Sequence, residues 1–156
     1  MNELNLQNYC VTLDIWVIFN LNSLKLNHKF ASKNKPMPLS NFSYSEYVLF
    51  IYLCMANVDN ELSLEEIEVL FDKMDLEHFN NSGNELLIGT VFKKYKAIPT
   101  EQRIDAIKIS ASKHLSDKQK GLNLLQNLYQ IMKADGEIKA SEKKLFEEIE
   151  HIVNEL

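Results

Sequence analysis

One stretch of this chain occurs twice. Residues 55–66 read MANVDNELSLEE and residues 131–142 read IMKADGEIKASE. At a fixed offset of 76 each copy carries Asp-x-Glu, then an aliphatic residue, then a Glu seven places after the Asp. An apolar helical run leads into each copy and an amphipathic one leaves it, so each is read as an acidic corner between two helices. Two such helix pairs in one chain restrict the fold to layers of helix on helix.

The rest of the chain agrees with that restriction. Ser43 and Glu46 stand in capping-box spacing and open a helix to about Asn57. That helix is apolar almost all round, from Tyr47 to Met55, which predicts a central element covered on several sides. Ser63 and Glu66 repeat the capping spacing before a second helix with Ile67, Leu70, Phe71 and Met74 inward. Residues 75–84 carry turn chemistry, and a third helix is expected at about 85–96, with Leu86, Leu87, Val91 and Tyr95 as core candidates. Pro99 stops it and Thr100 caps a fourth, facing inward through Ile104, Ile107, Ala111 and Leu115. Ser116 with Gln119 opens a fifth, running through Leu122, Leu125, Leu128, Tyr129 and Met132. A sixth begins near Ala140 and turns Leu145, Phe146, Ile149 and Val153 inward. Strand-like alternation is missing from 43–156, so the expectation is an all-α, compact bundle of about six helices. Its two end pairs are expected to be related by a pseudo-two-fold axis.

Residues 1–42 read differently, as a loosely packed extension before a helical domain at 43–156. Seven Asn fall among the first 36 residues, against nine in the 120 that follow, and helical periodicity does not persist there. Pro36 and Pro38 break the chain. Two readings stay open: Met37 is the natural start, or the apolar run Val11–Phe19 packs as a short strand or helix. That run is far shorter than the ~20 residues needed to span a bilayer, which argues against membrane insertion. It has no basic region before it and no clear small-residue cleavage site after it, so a cytoplasmic location is expected. Residues 37–156 carry a net charge of −7 within the overall −5, which argues against nucleic acid and leaves acidic patches for cations. Cys10 and Cys54 form no CxxC pair, and Cys54 sits where a thiol behaves as a small hydrophobe.

The corner residues allow two readings. In one, Glu66 and Glu142 are capping acids at helix N-termini, Asp59 and Asp135 form turns, Gly136 and Asn60 supply left-handed conformations, and Glu61 and Glu137 are solvated. In the other the carboxylates are ligands. Asp59 and Asp135 stand near a helix C-terminus, where the dipole disfavours an acid, and Lys139 replaces the Ser63 cap in the second copy. Hard cations take such oxygens, Ca2+ with about six to eight, so two facing corners would be needed. An EF-hand is excluded, because its twelfth position would be Leu70 or Phe146. His28, His78, His114 and His151 are scattered without zinc-site spacing, and no nucleophile elbow or phosphate loop occurs, so catalysis is not expected.

The motifs ANVDNELSLEE and KADGEIKASE, each set between helices, resemble the TerB family of tellurite-resistance-associated proteins and a related domain found beside J-domains in membrane co-chaperones. The resemblance covers about residues 43–154, and Asn60 stands where that family has Gly. It implies an all-helical pseudo-symmetric bundle, a role in stress response, and divalent-cation binding, with Ca2+ or Mg2+ favoured. The implied ligands are Asp59 with Glu66 and Asp135 with Glu142, and Glu61 and Glu137 are secondary candidates. Apart from the resemblance, Phe42, Tyr44, Tyr47, Phe50 and Tyr52 read as mostly core by their helical spacing, with any members on the solvent side open to protein partners. The Lys93–Lys96 run reads first as the solvated, dipole-matched last turn of the third helix and second as a partner surface.

Overall fold

A computed structural model describes residues 39–58, 64–73 and 82–156. Every regular element among them is an α-helix: α1 (Tyr44–Ala56), α2 (Leu64–Lys73), α3 (Ser82–Ala97), α4 (Thr100–His114), α5 (Lys118–Met132) and α6 (Ala140–Asn154). None of these helices is long and apolar enough to cross a membrane. Expectations for residues 1–38, for Ser63 and for Met74 lie outside the described residues. So do the side chains of Ile67, Phe71, Leu86 and Leu87.

α1 is the axis of the packing. Its capping box closes as its spacing predicts: the Glu46 N–H donates to Ser43 Oγ at 3.2 Å, and the Ser43 N–H donates to Glu46 Oε2 at 2.7 Å. Every residue from Tyr47 to Ala56 is buried, and α1 packs against α2, α3, α4, α5 and α6. A helix with no polar face is stable in water only when neighbours cover all of it, and five do so here.

Residues 39–42 belong to this packing. Leu39 and Phe42 are buried, and the Leu39 N–H donates to Ser110 Oγ at 2.8 Å. Residues 1–38 of the expected extension lie outside the described residues.

Several boundaries and faces differ from the sequence reading. α3 starts at Ser82 rather than 85, because the Ser-Gly-Asn that marks a turn also serves at a helix start. Pro99, not Thr100, is the N-cap of α4 and gives no side-chain bond. At α5 the cap is Asp117, whose side chain accepts the Gln119 N–H at 2.9 Å, not Ser116. α5 is also turned from the expected stripe. Gly121, Leu124, Leu128, Ile131 and Met132 are buried, Leu125 is half-buried, and Leu122 and Tyr129 are exposed. The cause is steric: a Cβ on Gly121 would lie 2.7 Å from Val153 Cγ1, so α6 seats where the glycine leaves room. On α6, Leu145, Ile149 and Ile152 are buried while Phe146 and Val153 are half-buried. On α4, Ile104 is half-buried and the inward face includes Ser110 and His114.

Candidate functional site

The helix ends around the two acidic stretches fall at matching positions. α1 ends at Ala56 and α5 at Met132, while α2 begins at Leu64 and α6 at Ala140. Both pairs are separated by the sequence offset of 76, so the corners, 57–63 and 133–139, have equal length. A closing hydrogen bond repeats too. The Val58 N–H donates to Met55 O at 3.3 Å, and the Ala134 N–H donates to Ile131 O at 3.0 Å.

Glu66 and Glu142 are each the third residue of their helix, and both are buried, at 4% and 2% exposure. A carboxylate is seldom buried without partners. Glu142 Oε2 accepts the Lys139 N–H at 2.7 Å, the half of a capping box that ties the chain back to the helix start. The Lys139 side chain carries no acceptor, so the reciprocal bond is absent. The burial shared by Glu66 and Glu142 fits helix N-termini, where unpaired N–H groups favour a carboxylate.

The remaining acids of the second corner are exposed. Asp135 Oδ1 accepts the Glu137 N–H at 3.0 Å, an Asx turn. Between them Gly136 adopts φ +87°, the left-handed conformation expected there, and its N–H donates to Lys133 O at 3.1 Å. α5 stops at Met132 with Lys133 as its cap, so Asp135 stands in the turn beyond the helix, in the turn-forming role that one reading of the corner assigned to it. The described ion pairs, Lys108–Glu155, Lys143–Glu147 and His151–Glu155, lie elsewhere. Among the described residues, no basic side chain pairs with Asp135 or Glu137.

Asp59 and Glu61, their counterparts in the first corner, lie outside the described residues. The approach to that corner is well defined. Asn57, the cap of α1, donates from Nδ2 to Tyr95 Oη at 2.8 Å, and Arg103 Nη1 donates to the same oxygen at 2.8 Å. Arg103 also donates from Nε to Ile98 O at 3.1 Å and lies 3.8 Å over the Tyr95 ring. It is the chain's one arginine, placed in the first turn of α4 where the dipole disfavours a cation. That anomaly was the available signal, explained by the carbonyls that accept from the guanidinium, Tyr95 O in the last turn of α3 at 3.4 Å and Ile98 O just beyond it.

Burial pushes the Cys54 thiol up to about 12 despite the opposing Arg103 charge, so it stays protonated and inert. His114 is buried, with Nε2 3.2 Å from Leu39 O. Tyr47, Phe50 and Tyr52 are core, and Tyr44 is half-buried under Lys120 Nζ, 5.0 Å from its ring. In the Lys93–Lys96 run Tyr95 is buried, and Lys96 Nζ lies 4.2 Å over Phe92. Among the described residues no three His, Cys, Asp or Glu side chains gather where they could hold a metal. An ion at the second corner would meet the exposed Asp135 and Glu137 and would need further oxygens. Compared with known proteins, the chain matches no family model, no curated protein and no solved structure.

Proposed function

We propose that this chain is a TerB-like, non-catalytic cytoplasmic domain that holds a divalent cation, Ca2+ or Mg2+, between its two acidic corners and serves in a stress response. The observation that carries this reading is the structural repeat: equal corner lengths, a repeated closing hydrogen bond and a buried Glu at the third position of each outgoing helix. It supports six helices whose end pairs, α1–α2 and α5–α6, are related by a pseudo-two-fold axis. In the proposal Glu66 and Glu142 brace the corners, while Asp59, Glu61, Asp135 and Glu137 supply the ion's carboxylate oxygens. The stress role and location rest on the resemblance of the motifs.

Thermal melts with Ca2+ or Mg2+ against chelator test it. At about 100 times Kd a bound ion adds roughly 2.7 kcal/mol. The decisive variant is Asp59→Asn with Asp135→Asn, because Asn keeps an Oδ1 acceptor for the turn while removing the charge. Loss of the ion's shift in a still-folded double variant supports the proposal, and an undiminished shift refutes it.

A second reading makes the chain a protein-interaction module whose acidic corners are only capped turns. The favouring observation is that Asp135 Oδ1 and Glu142 Oε2 already accept backbone N–H groups. No shift with any divalent ion would select it.

A further inference from the structure

α5 carries two apolar side chains on the face turned away from its own core. Leu122 is 48% exposed and Tyr129 46% exposed, whereas Leu124, Leu128 and Ile131 are buried on the other side. A single exposed Leu is ordinary. These two lie seven residues apart, so they stand two turns apart on one line, separated by ~10 Å. Half-buried Leu125 borders that line, and the ring of Phe146 on α6 meets Tyr129 edge-on at 6.3 Å, extending the apolar strip toward the next helix.

Charge frames the strip. Lys118 and Lys133 fall on the same line at its two ends, ~22 Å apart along the axis. Both are exposed, and Lys133 Nζ lies 5.1 Å from the Tyr129 ring centroid, at the border of the apolar surface. α5 is the one described helix without an Asp or Glu, in a chain whose net charge is −5. A helix with an apolar centre on its outer face, a lysine at each end of that face and no acid of its own complements an amphipathic helix with apolar anchors at i, i+3 or i+4, and i+7, flanked by carboxylates. We propose that the Leu122–Tyr129 face of α5 docks an acidic amphipathic helical segment of a partner protein. The apolar contacts supply affinity, while Lys118 and Lys133 set orientation and exclude basic helices. Lys133 is also the first residue of the second corner, but the surface uses none of the carboxylates proposed to hold the cation.

Selection of helical peptides from a displayed library against the full chain tests it, followed by fluorescence anisotropy with one labelled peptide of about 18 residues. Recovered sequences are expected to be acidic with the stated apolar spacing. Leu122→Ser with Tyr129→Ser should weaken that peptide at least about tenfold. Lys118→Glu with Lys133→Glu should reject it yet accept a version whose Glu residues are replaced by Lys. Such a reversal cannot come from unfolding, and unchanged circular dichroism of the exposed-site variants checks the fold directly. The proposal is overturned if selection enriches no acidic helix or if the charge swap leaves affinity unchanged. It is also overturned if sedimentation shows self-association that the same variants abolish, since the face would then serve a second copy of this chain.

Discussion

The imidazole of His114 stacks on the ring of Tyr47, with centroids 4.4 Å apart and planes 20° from parallel. This pair joins the last turn of α4 to the central helix and locks the residues that precede it. Tyr47 Oη donates to Ile107 O at 2.9 Å, His114 Nε2 reaches Leu39 O at 3.2 Å, and Lys113 Nζ donates to Ser40 O. Both backbone groups of buried Leu39 are therefore satisfied by α4 side chains, Ser110 below and His114 above in sequence. Because Leu39 O is an acceptor, the neutral ring carries its proton on Nε2.

This arrangement predicts a pH dependence. Burial lowers the His114 pKa below its usual 6.5; the Leu39 carbonyl opposes that shift and the Lys113 charge adds to it. The unfolded chain then binds the extra proton in the window between the folded pKa and 6.5. The His114 contribution to stability is complete above 6.5 and is lost as pH falls from there through the folded value. Melting temperature should decline as pH falls below about 6.5, before most carboxylates titrate. His114→Gln should be less stable at neutral pH but show a flatter slope in that window. An unchanged slope would remove His114 as the cause.

The α5 cap gives a prediction in which neighbouring residues behave oppositely. Asp117 accepts the Gln119 N–H at 2.9 Å, so Asp117→Ala should cost about 1 kcal/mol. Ser116 stands in the capping-box spacing but one residue before the observed cap. Ser116→Ala should be within about 0.5 kcal/mol of neutral. Urea denaturation of the two variants measures both, and equal losses would return the cap to Ser116.

Gly136 is a purely conformational case. Its φ is +87° and nothing lies within 4 Å of a Cβ placed on it. Gly136→Ala should cost about 1–2 kcal/mol by strain alone. Gly136→Asn should cost less, because Asn tolerates the left-handed region. Denaturant unfolding of the pair checks this, and identical losses would contradict a conformational origin.

These cases mark what was legible in the sequence. The helical class, the central α1, its capping box and the left-handed Gly136 follow from local patterns of apolar spacing and turn chemistry, and each is seen in the structure. The α5 face was not legible, since Leu122, Leu125 and Tyr129 form as regular a stripe as the buried set does. Which stripe turns inward was decided by α6 meeting Gly121, a contact between residues distant in sequence. The buried Ser110 and His114 were hidden for the same reason, their partner being the backbone of Leu39. At the acidic corner, spacing identified Glu142 as a capping acid. The Asx turn at Asp135 depends on a side-chain rotamer that spacing does not specify.

Gly121 and Val153 allow that long-range contact to be measured. A methyl group at Gly121 would sit 2.7 Å from Val153 Cγ1 and 3.8 Å from its Cβ and Cγ2. Val153 is β-branched and held to one favoured rotamer in a helix, so it cannot swing aside cheaply. Alanine would raise helix propensity by about 1 kcal/mol. Overpacking should outweigh that gain by costing about 1–3 kcal/mol, leaving Gly121→Ala less stable than wild type. Val153→Ala removes the obstructing methyls. In that background the same Gly121→Ala change should stabilise, because only the propensity gain remains. The double-mutant cycle should therefore show a coupling of about 0.5–3 kcal/mol, with the double variant more stable than Val153→Ala alone. Simple additivity would mean that α6 does not approach α5 at Gly121 in solution, and the explanation for the turned face of α5 would fall with it.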